Sequence, residues 1–196
     1  MSQRIRQIQS RINSAGRENL LVDGVWGPKS RAACQRYLRR LMPSPSPWPR
    51  ANTRSLEAFY GKAGDESNLV RIQLPFTMYF EGKKVTSARV NKRCADSLLR
   101  VLNNIRILTL TNPAIEESAK SFGGLFNDRK KRGGSTKSLH AYGAAIDLDA
   151  DNNQFKSIWP TEATMPIEIM EEFAKEGWLP AGGIWFYDAM HMQATQ

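Results

Sequence analysis

SLHAYGAAIDLDADNN, residues 138–153, holds one of the two histidines in this 196-residue chain. The other, His191, lies in YDAMHMQ near the C-terminus. Between Ser138 and Asp147 the residues fall as Ser-x-His-x-x-Gly-x-Ala-x-Asp. His140 and Asp147 are too far apart in sequence to share a helix face. A turn at Gly143 can fold them together if Ala144-Ala145-Ile146 begin a strand, and the small residues permit close backbone approach. A neutral imidazole and a carboxylate are then two metal ligands, and His191 makes a third. Two nitrogens, one oxygen and a free fourth position describe a catalytic zinc site. Cys34 and Cys94 stand apart from any metal-site spacing and read as buried thiols.

Asp188 comes three residues before His191. A carboxylate there can lie beside the ion without binding it, and can pass a proton from an attacking water to a leaving amine.

Ser-x-His-x-x-Gly-x-Ala-x-Asp followed by Asp-x-x-His resembles the signature of the M15 zinc peptidases. These are the VanY- and VanX-like D-Ala-D-Ala peptidases and the L-alanyl-D-glutamate endopeptidases of phage lysins. Phe122-Gly-Gly-Leu-Phe-Asn-Asp-Arg129 resembles the glycine-rich run of that family, and 178–192 its closing segment. The resemblance implies one catalytic zinc ion held by His140, Asp147 and His191. It implies Asp188 as general base and acid, Arg129 as the group that polarises the scissile carbonyl, and Ser138 as a support behind the ligands. Arg132, Lys130 and Lys131 are rivals to Arg129. Asp149 and Asn153 follow the motif as in many members, and Trp185 and Tyr187 are candidates for the wall of a substrate groove. Asp188 departs from the dipeptidase branch, which has Glu. The shorter side chain resembles the phage endopeptidase branch, which points to L-Ala-D-Glu bonds.

The net charge of +9 is unevenly placed. Through Arg50 there are ten Lys/Arg against Glu18 and Asp23; the rest of the chain is nearly neutral. Such a cationic piece suits an anionic polymer. Ile5, Ile8 and Ile12 predict a helix over 3–14, and Ser30 is placed as the cap of a second helix using Ala33, Tyr37, Leu38 and Leu41. The loop between them and the start of the second helix, VDGVWGPKSRAA, resembles the three-helix peptidoglycan-binding domain. That resemblance makes Asp23 and Trp26 candidate cell-wall contacts; read from the residues alone, Asp23 also serves to shape the loop, and Trp26 is either core or a sugar platform. No helix-turn-helix or aromatic-basic strand signature supports nucleic-acid binding.

Four prolines in MPSPSPWPRANT predict an extended spacer. The division is therefore 1–42, a peptidoglycan-binding domain; 43–55, a Pro-rich linker; and 56–196, the zinc peptidase domain. Strands are predicted over 69–80 and 84–90, helices over 95–108 and 167–178, and a terminal strand in GGIWFYDAMHMQ. The mixture predicts the α+β class; the two resemblances imply a small α-helical unit plus a Hedgehog/D-Ala-D-Ala-peptidase-like domain with an antiparallel sheet flanked by helices.

The apolar runs are too short to span a bilayer, and no apolar segment follows the basic N-terminus, so neither stable membrane insertion nor a signal peptide is expected. The resemblance to lysin endopeptidases implies a monomeric phage endolysin that acts on bacterial peptidoglycan and stays in the host cytoplasm until release to the cell wall. The alternatives are a VanY-type D,D-carboxypeptidase and a non-catalytic cell-wall-binding protein.

Overall fold

The computed structural model describes residues 2–196. Helix α1 (Gln3–Gly16) is capped by the Ser2 hydroxyl and buries Ile5, Ile8 and Ile12. Helix α2 (Pro28–Leu41) starts earlier than its predicted cap. Pro28 takes the first helical position, where its fixed φ helps and its missing N–H costs nothing. Ser30 therefore sits inside the first turn, accepting from Gln9 Nε2 at 3.2 Å and donating to the Val25 carbonyl at 3.3 Å.

This helical pair is packed on the rest of the chain, not held away from it. One continuous hydrophobic cluster runs from Ile5 to Ala194. The Arg11 guanidinium grips both oxygens of Glu171 at 2.6 Å, and the Tyr37 hydroxyl donates to the same carboxylate at 2.8 Å. Burial pushes the Tyr37 phenol upward, and the Glu171 charge adds to it. The Arg4 guanidinium donates to the carbonyls of Pro160, Ala163 and Met165.

The proline-rich stretch is free of helix up to Asn52 and is fastened along the body of the chain as a strap. Trp48 is 6% exposed, donates from Nε1 to the Glu176 carbonyl at 2.8 Å, and lies edge-on to Trp178. Gln196 clasps the strap through the Pro49 and Trp48 carbonyls. Helix α3 (Thr53–Tyr60) begins within the stretch predicted as linker. Truncation of Trp48 to alanine is expected to destabilise the fold by about 3–5 kcal/mol, read by denaturant unfolding. A loss under about 1 kcal/mol would mean that the strap is loosely held.

Strands β1 (Leu69–Phe80) and β2 (Lys83–Asn91) form an antiparallel hairpin. Glu81 and Gly82, both at positive φ, make the tight turn. The register shifts between Gln73 and Met78, around Pro75, which has no N–H for the ladder. Helix α4 (Ala95–Thr109) buries Leu98, Val101, Leu102 and Ile105, and α5 (Pro113–Lys120) follows, capped by Asn112.

The second sheet places the site. Its four antiparallel strands run in the order β3 (Phe122–Gly124), β4 (Ala145–Leu148), β6 (His191–Gln193), β5 (Leu179–Pro180). Helix α6 (Ile167–Lys175) and the short α7 (Ala181–Ile184) pack against it. The terminal strand is shorter than predicted. Residues 181–184 are helical, and Phe186 and Asp188 take left-handed φ of 65° and 58°, which breaks any extended run before His191. Mixed α and β with small antiparallel sheets agrees with the α+β expectation. Among the described residues no helix is long and apolar enough to cross a membrane.

Candidate metal centre and its cleft

The motif folds as a 3-10 turn over Leu139–Tyr142, capped by the Ser138 hydroxyl, which accepts from the His140 N–H. Gly143 then turns the chain at φ 64° and sends it into β4. A Cβ at Gly143 would lie 2.6 Å from Leu69 Cδ2 and 2.8 Å from the Asn91 nitrogen, so both the conformation and the space require glycine. Ala144 and Ala145 are fully buried and let the turn seat against the sheet.

Asp147 and His191 are direct partners across β4 and β6, so their side chains leave the sheet on one face. The turn delivers His140 to the same point. His140 Nε2, His191 Nδ1 and Asp147 Oδ1 form a triangle with sides of 3.2, 2.8 and 3.2 Å. All three residues are at most 9% exposed. Ligands about 2.0–2.1 Å from a tetrahedral zinc stand roughly 3.3 Å apart, so the triangle fits the donors of such an ion. The donor set, two imidazoles and a carboxylate without thiolate, is the open catalytic type.

The partners behind the ligands fix which nitrogen faces inward. His140 Nδ1–H donates to the Leu125 carbonyl at 2.6 Å, which leaves the Nε2 lone pair for the ion. His191 is reversed: its Nε2–H donates to Gln193 Oε1 at 3.1 Å, so Nδ1 points inward. Gln193 is itself held, donating to Thr195 Oγ1 at 2.6 Å. Neither Gln193, Thr195 nor Leu125 was singled out from sequence; the i, i+2 spacing of His191 and Gln193 on a strand was the available signal. Replacing Gln193 with leucine strands the His191 N–H and is expected to weaken zinc about 10–100-fold. Competition with a chelating dye reads that loss; an unchanged affinity would remove Gln193 from the account.

Burial opposes ionisation of Asp147, yet its contacts with His140 and His191 prevail and hold the carboxyl well below the usual range. Burial lowers the His191 imidazole, but Asp147 overcompensates and its pKa is raised. Gly123 of β3 runs directly behind Asp147: a Cβ there would stand 2.9 Å from Asp147 Cβ. Asp149 and Asn153 serve the scaffold. Asp149 accepts from Ser118 and Asn152, and Asn153 bridges Asp149 to the Thr164 and Met165 amides.

Asp147 and His191 line a cleft of about 330 Å³, whose other walls include Arg129, Arg132, Ser138, Trp185, Tyr187 and Asp188. Asp188 is half-buried, and burial raises its carboxyl above the ordinary value, with Asp147 reinforcing and His191 opposing. A carboxylate so placed is better suited to accept a proton near neutrality than one in bulk water. Arg129 and Arg132 both border the cleft. Arg132 stands 5.6 Å over the Phe155 ring, and its charge acts on Asp188.

Asp23 and Trp26 are not among the walls of this cleft. Asp23 Oδ1 accepts from Gln9 Nε2 and the Val25 N–H, both at 2.9 Å, and shapes its own loop. Trp26 takes the core placement: it is 7% exposed and lies edge-on to Trp159 at 5.3 Å and Phe186 at 6.5 Å. Trp185 and Tyr187 are 36% and 45% exposed on the cleft rim.

The family model described as D-alanyl-D-alanine carboxypeptidase matches residues 132–194. That window holds His140, Asp147, Asp188 and His191 and supports a peptidase of the M15 type. No curated protein and no solved structure matches.

Proposed function

We propose that the chain is a zinc-dependent peptidase that cuts the stem peptide of bacterial peptidoglycan at the L-Ala-D-Glu bond, and acts as a phage endolysin. The observation that carries this reading is the buried triangle of His140, Asp147 and His191 beside a half-buried Asp188 at the floor of an open cleft. When bound, zinc supplies Lewis acidity that lowers the pKa of water and polarises a carbonyl.

The residues of the chain do the rest. His140, Asp147 and His191 hold the ion, with Leu125 and Gln193 setting their tautomers. Asp188 takes the proton of the attacking water and returns it to the leaving amine. Arg129 or Arg132 meets the charge that develops on the scissile oxygen; removing such a donor costs on the order of 10²–10³ in rate. Their positive charge, with Lys131 on the same wall, also suits a substrate rich in carboxylates.

The N-terminal helical unit, residues 1–42, is proposed to hold the enzyme on the cell wall. Its excess of arginine supports that role. Accumulation in the host cytoplasm before release to the wall, and a monomeric state, belong to the same reading.

A D,D-carboxypeptidase is the second reading, favoured by the description of the matching family model. Mass spectrometry of fragments released from purified peptidoglycan separates the two. Stem peptides with new D-Glu amino termini are expected; release of terminal D-Ala alone would reverse the order. No soluble fragment under zinc-replete conditions would leave a non-catalytic wall-binding protein.

A further inference from the structure

A second hollow of about 510 Å³ adjoins the metal cleft and shares Phe155, Trp185 and Tyr187 with it. Its far side is built by Arg31 of α2, Lys156 and Ile158. The cleft thus continues as a trough from the ligands to the N-terminal helical unit. Trp185 and Tyr187 sit two residues apart with ring centroids 6.1 Å apart and planes 31° from parallel. Phe186 between them turns inward against Trp26.

The two cations of the second hollow stand over aromatic rings. The Arg31 guanidinium is 5.6 Å from the Phe186 centroid, and the Lys156 ammonium is 5.8 Å from that of Phe155. Among the described residues neither is ion-paired with a carboxylate, and no acidic side chain lines this hollow.

We infer that this trough is a saccharide subsite that receives the amino-sugar ring attached to the stem peptide being cut. A pyranose offers an apolar C–H face, which an exposed, tilted aromatic pair can cover. Its hydroxyl and N-acetyl oxygens accept hydrogen bonds, and Arg31 and Lys156 offer only donors. The hollow is within the size range of small-molecule sites.

The inference rests on the peptidase reading and refines it. The trough opens directly from the metal cleft, so a sugar in it lies close to the scissile bond. In peptidoglycan the bond that close to the sugar is the one after L-Ala, which is joined to the ring through its lactyl group. The terminal D-Ala bond lies several residues further out. Arg31 also gives the N-terminal unit a place in substrate recognition at the cleft itself, and its tight packing makes point substitution a cleaner test than deletion.

The test uses the zinc-loaded full chain and two readouts. The first is calorimetric binding of the peptide-free GlcNAc–MurNAc disaccharide, which a peptidase cannot cut. Saturable binding is expected, weakened roughly 10-fold by Trp185→Ala and by Arg31→Ala and retained by Trp185→Phe. The second is the ratio of kcat/KM for a disaccharide-bearing stem peptide over the same peptide without sugar. A ratio of roughly 10 in the native chain, collapsing towards one in Trp185→Ala, is expected. Equal kcat/KM on both substrates, or disaccharide binding indifferent to both alanine substitutions, overturns the subsite. Disaccharide binding of the expected pattern without cleavage of either peptide instead overturns the peptidase reading and leaves the subsite standing.

Discussion

Alanine at His140 or His191 is expected to abolish bound zinc and peptide hydrolysis together. Each imidazole supplies one corner of a triangle whose sides are 2.8–3.2 Å. Loss of one corner leaves two donors, too few to hold a divalent ion against solvent. Zinc affinity should fall by more than the roughly 10–100-fold seen when only a supporting partner is removed. Hydrolysis should drop to background, because no side chain in the cleft can activate water alone. Circular dichroism checks the fold of each variant. Protons compete for the same nitrogens. The folded pKa of His191 is raised by Asp147, so zinc affinity should be intact at higher pH and begin to fall, on acidification, above the ordinary histidine range.

Asp188→Asn is expected to separate binding from turnover. The residue lines the cleft without belonging to the ligand triangle, so zinc content should stay at the native level. The amide cannot accept the proton, and kcat should fall by about 10²–10⁴-fold. Near-native kcat would remove Asp188 as the base and direct attention elsewhere on the cleft wall. Loss of zinc in this variant would make it a ligand.

The contrast between His140 and Trp26 shows what the sequence could tell and why it stopped. Ser138 to Asp147 was readable because turn, small residues and ligand types occur in one contiguous run, and local chemistry dictates that order. His191 was readable because the chain has so few histidines. Gln193 was missed because an amide is no zinc ligand itself, and only its i, i+2 spacing on a strand places it beside His191. Trp26 could not be assigned from its own loop because its environment is made by Trp159 and Phe186, more than a hundred residues away.

The same cause explains the strap and the end of the chain. Prolines correctly excluded helix between Met42 and Asn52, but nothing local shows that Trp48 would find Trp178 and the Glu176 carbonyl. The aromatic and apolar residues of GGIWFYDAMHMQ suggested a strand. Left-handed φ at Phe186 and Asp188 breaks the extended run, and the strand is confined to three residues. Non-glycine residues held in that region tend to cluster at functional sites. Here they alternate outward aromatics with an inward ring and end at the proposed base.

Zinc content measured by elemental mass spectrometry, on the native chain and on Asp147→Ala after dialysis against trace zinc, tests the ligand triangle most directly. One ion per native chain, none in the variant, and hydrolysis that disappears on chelation and returns with zinc are predicted. Hydrolysis persisting in a metal-free native chain, or a full equivalent of zinc retained by Asp147→Ala, would contradict the account.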